Sequence, residues 1–404
     1  MSTLTRLWAH MILDSRGFPT VQAHGVLSSG EEVVASVPSG ASVGQNEAHE
    51  LRDGGETWGG QGVDKAVAAV NGELADILVG QDPTEQKKLD ELMITLDGTP
   101  TKERLGANAL LAASMILTRA GAKATHVPLY TYIAHMAQLS APTSVGVVPM
   151  FNVINGGKHA NNNLRFQEFM VEPVGFDTAL QKVAAGVGVY AALKQLLLEA
   201  GLNSGLGDEG GFAPKLAGDV PEETALQLLI QAIAAAGYSM DQVRLGLDVA
   251  ASSISESFDF DYAHLIEKFP LATIEDPYSE EQWNKWPALT AQTLGKITII
   301  GDDLLTTNPR LIRQAIEQKS VSGVLIKLNQ IGTVTETLEA ISLAQEAGYK
   351  VAVSHRSGET SDSFIADLAV AVDADYLKAG APARGERVAK YNRLMDIERE
   401  LQGS

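Results

Sequence analysis

The sequence predicts an α/β protein in which a C-terminal (β/α)8-type barrel follows a smaller N-terminal α+β domain. Three observations lead there. From VVPMFNVI (147–154) onward, short apolar runs alternate with helical segments to the C-terminus. Those runs are nearly continuous in apolar residues, as strands of a parallel sheet covered on both faces are. A stretch mixing Pro, Ser and Gly, LSAPTSVGV, lies around 138–146 and separates this region from one of different rhythm. Roughly eight strand–helix units in about 260 residues match a closed barrel better than an open sheet. The expected domains are 1–138 and 139–404.

Taken in order, TVQAHGVL (20–27) and EEVVASVP (31–38) alternate in the β manner around the turn Ser28-Ser29-Gly30, which predicts an antiparallel hairpin. GGETWGGQG (54–62) is loop, and helical spacing follows over 63–79 and 106–121. The second of these, rich in Ala and Leu, has the spacing of a buried helix. Beyond the boundary the expected strands are VVPMFNVI, FQEFMVEP, LGDEGGFAP, VRLGLDVA, LATIEDP, ITIIGDDL, GVLIKLN, KVAVSHR and YLKAGAP. The helices between and after them are expected at 177–200, 222–237, 260–268, 281–291, 309–318, 333–347, 361–373 and 384–401.

Composition narrows the function. The 404 residues carry 31 Lys plus Arg against 50 Asp plus Glu, a formal charge of −19. That balance argues against gripping nucleic acid or anionic lipid by bulk charge, and an anionic ligand would need locally assembled cations. There is no cysteine, which removes disulfides, thiolate metal sites and cysteine nucleophiles and fits a reducing compartment. The short apolar run Trp8–Leu13 is interrupted by His10, and no later stretch offers the roughly 18 apolar residues of a membrane span. A soluble, cytoplasmic protein is the expectation.

The residues that end the apolar runs carry the chemistry. In order they are Glu168, Asp208 with Glu209, Asp248, Glu275 with Asp276, Asp302 with Asp303, Lys327, His355 with Arg356, and Lys378. From Asp248 onward they recur every 23 to 28 residues, one strand-plus-helix unit apart, so a barrel gathers them at one rim. A single carboxylate at a strand end most often caps the next helix. Three in register, Asp248, Glu275 and Asp302, would repel one another without a cation, and an all-oxygen set suits Mg²⁺. Lys327 shares a strand face with Leu325, and a lysine in a strand covered on both sides is costly without a purpose. Such a lysine loses its charge readily and is a usable general base.

GLGDEGG formally matches a dinucleotide loop through Gly205, Gly207 and Gly210, but Asp208 and Glu209 would aim carboxylates at the pyrophosphate. An acid-rich glycine loop at a rim suits a positioned general acid or base instead. NGGKHANN lacks the first glycine and the Ser/Thr of a P-loop, and His159 taken alone is an ordinary loop histidine. Arg356, Ser357 and Lys378 supply donors for a phosphate or carboxylate, where the plainer alternative is surface ion pairing. Together these parts imply proton abstraction α to a carboxylate, followed by elimination or isomerisation.

The segments SRGFPTV (15–21), VPSGAS (37–42), LDGTPTKERLGANA (96–109), NGGKHANN (155–162), QEFM (167–170), GDEGGFAP (207–214), GLDVAAS (246–252), IEDP (274–277), GDDL (301–304), LIKLNQIGT (325–333), SHRSGET (354–360) and KAGAPARGER (378–387) run nearly end to end. Together they closely resemble the enolase (phosphopyruvate hydratase) family, whose superfamily is known for a Lys or His base working with one or two Mg²⁺ ions. The resemblance implies an N-terminal domain closing over a barrel, and dehydration of 2-phosphoglycerate to phosphoenolpyruvate in glycolysis and gluconeogenesis. It implies that Asp248, Glu275 and Asp302 hold a first Mg²⁺, and that a second arrives with substrate near Ser42. By the same matching, Lys327 takes the C2 proton and Glu209 assists hydroxide loss, with Glu168 and His159 nearby. Gln167, His355, Arg356, Ser357 and Lys378 match substrate-contacting positions. A homodimer or larger ring is the assembly that the family suggests.

There are departures from the family pattern. Phe18 replaces the usual Asn of SRGNPT, Val43 stands where Thr is usual, and 43–46 is atypical, which touches loop closure. The stretch between Asp248 and Glu275 is shorter than in the family. A related ammonia-lyase would share the metal triad but gives no reason for Arg356, Ser357 and VPSGAS. A binding paralogue without turnover would be expected to lose Lys327, Glu209 or a carboxylate, and all are present.

Overall fold

The computed structural model describes residues 2–40, 46–254 and 260–403, so Ser42 and Val43 lie outside the described residues. Strands β1 (Leu4–Leu13), β2 (Pro19–Leu27) and β3 (Glu32–Ser36) form an antiparallel sheet in that order. The expected hairpin is β2–β3, and the apolar run at Trp8 belongs to β1, which pairs on the other side of β2. One face of this sheet, with Leu7, Ala9, Val21, Ala23, Val33 and Ala35, is buried. The helix Ala107–Ala124 covers it and is itself buried on nearly every side, which is why its sequence is apolar around its whole circumference.

The helical spacing over 63–79 does not yield one straight helix. Asp64–Ala69 and Ala75–Leu78 are joined by a π-turn, Val70–Leu74, with Gly72 at φ −111°, ψ −105°. Asn71 explains the bulge, because its side chain accepts from the Ala9 N–H (2.7 Å) and donates to the Ala9 carbonyl (3.1 Å). The turn is wound out so that one side chain can satisfy the backbone of β1. Two further helices, Gln86–Asp97 and Leu129–Met136, complete this part.

The second part is a closed eight-stranded barrel of β4 (Val148–Asn155), β5 (Glu168–Glu172), β6 (Arg244–Asp248), β7 (Leu271–Glu275), β8 (Thr298–Gly301), β9 (Gly323–Ile326), β10 (Lys350–Ser354) and β11 (Tyr376–Lys378). It is not uniformly parallel, because β5 runs antiparallel to both β4 and β6. The 12-residue link from β4 to β5 carries no crossover helix, whereas two helices, Ala179–Glu199 and Pro221–Ala235, stand between β5 and β6. LGDEGGFAP, expected as a strand, is a turn-rich loop tied in by isolated bridges from Phe212 to Ile154 and Leu206. The other expected helices form within a few residues of their predicted limits.

Reversal of β5 has a direct consequence. Its first residue, Glu168, lies in register with Asp248, which in turn pairs with Glu275, so the start of a reversed strand shares a rim with the ends of its neighbours. Below that rim the interior is filled by Met150, Met170, Ile300, Leu325 and Ala352, with Tyr376 against them. Lower still, Glu172 is fully buried; its Oε1 accepts from the Thr273 hydroxyl, and its Oε2 has no hydrogen-bond partner among the described residues. Gly246 makes the room, since a Cβ there would lie 2.2 Å from Glu172 Oε1.

Burial pushes the Glu172 carboxyl up to about 8, against the smaller opposing pulls of the Thr273 bond and Arg244. The folded state therefore holds a proton that the unfolded chain releases near pH 4.3. The stability from that proton is fully present below about pH 4 and is lost as pH rises through about 8. Glu172→Gln keeps the neutral, hydrogen-bonded group, so we expect unchanged stability near pH 4 and a gain of about 2–5 kcal/mol at pH 9. Thermal or denaturant unfolding of both proteins across that range checks it, and stability curves that stay parallel would contradict it.

Candidate functional site

Strand geometry brings the predicted residues to one mouth. Asp248, Glu275 and Lys378 are the last residues of β6, β7 and β11, while Lys327 and His355 directly follow β9 and β10. Asp302 comes one residue after the end of β8, and Glu168 opens the reversed β5. His159 comes from a short turn after β4, Gln167 from the residue before β5, and Glu209 from the GDEGGFAP loop. A cavity of about 260 Å³ opens here, lined by His159, Gln167, Glu168, Glu209, Asp248, Asp302, Lys327, His355, Arg356, Ser357 and Lys378 among others.

Lys378 is the centre of the charge arrangement. Its Nζ lies 2.7 and 2.9 Å from the two oxygens of Glu275, 3.1 Å from Asp248 Oδ2 and 3.2 Å from Glu168 Oε1, in a residue only 2% exposed. Burial alone would lower the ammonium, but Asp248, Glu168 and Glu275 together hold it well above its ordinary value. Gln167 Nε2 donates to Asp248 Oδ2 at 3.2 Å, and Asp248 Oδ1 accepts the Ala250 N–H at 2.9 Å. Burial and then the Asp248 charge push Glu275 up to about 8 despite Lys378.

Asp302 has a different partner. Its Oδ2 is paired with Lys327 Nζ, and its Oδ1 accepts from Gln330 Nε2 at 3.1 Å. Burial would raise the Asp302 carboxyl, yet Lys327 pulls it below the usual range. Burial, the largest single influence, would lower Lys327, but the attraction of Asp302, with Glu275 behind it, leaves it raised on balance. The sequence led us to expect a lysine that sheds its charge readily; in this arrangement it is held charged. Asp276, in the left-handed region at φ 42°, receives the backbone N–H groups of Asp302 and Asp303 on its two oxygens at 2.9 Å each. That pair of bonds fixes the turn from which Asp302 projects.

The grouping of ligand atoms differs in detail from the expected triad. Among the described residues the convergent sets are Asp276, Asp302 and Asp303, and His159, Glu168 and Glu209, each with its ligand atoms within 4.8 Å of one another. Asp248 and Glu275 are turned onto Lys378, and Asp302 onto Lys327, so two ammonium groups separate the three carboxylates. The donor set nonetheless fits a hard divalent cation. It is all oxygen, buried, and richer in carboxylates than two lysines neutralise, as the raised Glu275 records.

Across the mouth, Glu209 Oε2 accepts from Asn152 Nδ2 at 3.0 Å and lies 3.4 Å from His355 Nε2, while Oε1 lies 3.6 Å from His159 Nδ1. Burial would raise Glu209, but His355, His159 and Arg387 bring it well below the usual range. Glu168 goes the other way, raised well above that range by burial and by Glu209, with Lys378 opposing. One carboxyl keeps a proton while its neighbour stays ionised, a division of labour suited to acid–base chemistry. At the far wall Arg356 Nη1 donates to Glu47 Oε2 (3.0 Å) and Asn329 Oδ1 (2.9 Å), and Gly358, beside Ser357, forms a two-bond bridge with Ser39.

The sequence did not single out Asn152, Glu47, Gln330 or Arg387. Asn152 carried a signal, as the polar residue inside MFNVI. Glu47 carried none, since it reaches Arg356 from 309 residues away.

Comparison with known proteins identifies the family. The family described as "Enolase, N-terminal domain" matches residues 4–133, and that described as "Enolase, C-terminal TIM barrel domain" matches 143–262 and 253–404. The chain is 48% identical over 419 aligned positions to a protein named Enolase from Rubrobacter xylanophilus, covering 99% of this chain and 96% of the relative. The chain belongs to the enolase family, lyases of the phosphopyruvate hydratase type.

Proposed function

We propose that the chain catalyses the Mg²⁺-dependent, reversible dehydration of 2-phosphoglycerate to phosphoenolpyruvate. The observation that carries this reading is one mouth with Lys327 and Lys378 on one wall, an ionised–protonated carboxyl pair opposite, and Arg356 at the end. Asp248, Glu275 and Asp302 would hold the first Mg²⁺, and Ser42 would serve the second, which arrives with substrate. When bound, a divalent cation supplies positive charge to the substrate carboxylate and takes over the countercharge that Lys327 now gives Asp302.

Lys327, once relieved of its proton, accepts the hydrogen of C2 on Nζ. Lys378 keeps its charge in the face of three carboxylates and so stabilises the negative charge that builds on the substrate carboxylate. The proton shared by Glu168 and Glu209 leaves with the C3 hydroxyl as water, with His159 and His355 bracketing Glu209. Arg356 and Ser357 bind the phosphate, beside the Glu47 carboxylate that Arg356 Nη1 already holds. Gln167 orients Asp248 and borders the substrate.

We assign the chain to glycolysis and gluconeogenesis in the cytoplasm; no helix among the described residues is long and apolar enough to cross a membrane. We place the domain boundary at 138/139 and propose a homodimer or larger ring. The outward face of β1 and β2, where Trp8, His24 and His10 stack and Arg6 lies 4.2 Å from the Trp8 ring, is a suitable contact.

With purified protein, 2-phosphoglycerate and Mg²⁺, we expect enol phosphate to form, chelator to stop it, and Lys327→Ala to lower kcat about 10³-fold. Mg²⁺ binding by calorimetry should survive that substitution. Turnover that persists in excess chelator or in Lys327→Ala, or activity on an amino acid alone, would remove the reading. Lys378→Ala leaves Asp248, Glu275 and Glu168 buried without their shared counterion, so in chelator we expect a loss of about 3–5 kcal/mol. Mg²⁺ should then raise the Tm of the variant more than that of the parent; equal shifts would show that the cation does not share this carboxylate cluster.

A further inference from the structure

Behind the mouth lies an arginine that the reaction scheme does not use. Arg387, from the end of KAGAPARGER, is 0% exposed. Its Nη1 lies 2.5 Å from His355 Nδ1 and donates to the Arg356 carbonyl at 2.6 Å. Its Nη2 donates to the Ser357 carbonyl at 2.6 Å, with the Ser15 hydroxyl at 3.4 Å and the Asp208 carbonyl at 3.5 Å. The guanidinium is therefore clamped, with one edge turned to a histidine ring.

We infer that Arg387 is a positioning residue that holds His355 in the tautomer with its hydrogen on Nε2, facing Glu209. A guanidinium offers N–H donors only and does not deprotonate, so the ring nitrogen it faces must present a lone pair. Nδ1 is thereby the acceptor and the ring hydrogen must sit on Nε2, 3.4 Å from Glu209 Oε2. The backbone that carries the ring is fixed in turn, because the main-chain N–H of His355 donates to the Lys378 carbonyl at 2.9 Å and the Ser354 hydroxyl donates to the His355 carbonyl. A doubly protonated ring would set N–H against N–H, and burial with Arg387 indeed lowers His355 to about 4 although Glu209 and Glu359 oppose this. Glu359 is itself paired with Lys390 at 2.7 Å.

The fold makes space for this device. Gly380, at φ +83°, lies against the Arg387 stem, and a Cβ there would stand 3.0 Å from Arg387 Cδ and 2.8 Å from the Glu209 carbonyl oxygen. One motif thus delivers Lys378 to the front of the mouth and, nine residues on, returns a second cation to the back of His355. The inference rests on the proposed roles of His355 and Glu209.

Selective ¹⁵N-histidine labelling tests it in the unaltered protein, with the His355 signals assigned by their loss in His355→Gln. We expect Nε2 to carry the hydrogen and Nδ1 to stay unprotonated from pH 8 down to about pH 5, well below the ordinary histidine value of about 6.5. A ring with its hydrogen on Nδ1 at pH 7 overturns the inference. In Arg387→Met, a neutral side chain of similar length, we expect kcat on 2-phosphoglycerate to fall about 100-fold, with its acid limb moved toward pH 6.5. Arg387→Lys, which keeps a donor toward Nδ1, should return the limb toward the parent profile. A folded Arg387→Met with an unchanged acid limb also overturns it, and if that variant does not fold the parent spectrum decides alone. Absence of turnover in the parent would refute the proposed reaction, while the tautomer measurement would still decide the part played by Arg387.

Discussion

Lys378 is a cation almost without access to water, and three carboxylates from three neighbouring strands close on it. Separated ions at that depth would each cost several kcal/mol in lost hydration, so neither the lysine nor the acids are tolerable alone. The register Glu168–Asp248–Glu275 across β5, β6 and β7 brings the acids together, and β11, on the other side of the barrel's interior, brings the counterion. Barrel closure and charge balance are thus one requirement. Any slip of one residue in β6 would turn Asp248 outward into the apolar layer under the helices, where no partner waits.

The capping part of the chain enters the same balance from above. Glu47 neutralises Arg356, Arg119 pairs with Asp362 and Lys102 with Glu336, and the Ser39–Gly358 bridge ties the stem leading to 41–45 onto the segment that carries Ser357. These contacts join residues more than 200 positions apart in sequence. They hold the two parts in register at the wall where the proposed phosphate contact lies.

Much of this was legible in the sequence because a barrel converts sequence period into proximity. Asp248, Glu275, Asp302, Lys327, His355 and Lys378 could be placed on one rim from spacing alone. Patterning could not disclose the direction of β5, since FQEFMVEP reads the same whether its neighbours are parallel or not. LGDEGGFAP misled because its apolar ends are those of a loop plugged against β4. The break in 63–79 depends on a side chain, Asn71, reaching a strand more than 60 residues away, and no local rule contains that. Lys327 was misjudged in its charge for a related reason. Burial was visible in its strand, whereas the carboxylates that reverse its effect, Asp302 foremost, depend on how two neighbouring turns are held, one of them by Asp276.

The reversed β5 points Glu168, Met170 and Glu172 inward, one above another down the barrel axis. Two protonatable acids of one strand are thereby insulated by a plug of thioether and aliphatic side chains. Met170 itself stands between them, with Met150, Ile300, Leu325 and Ala352 completing the layer that separates the mouth from the lower carboxyl. One strand thus gives an acid to the mouth and a second, fully buried acid beneath an apolar layer, with five residues of continuous backbone holding both.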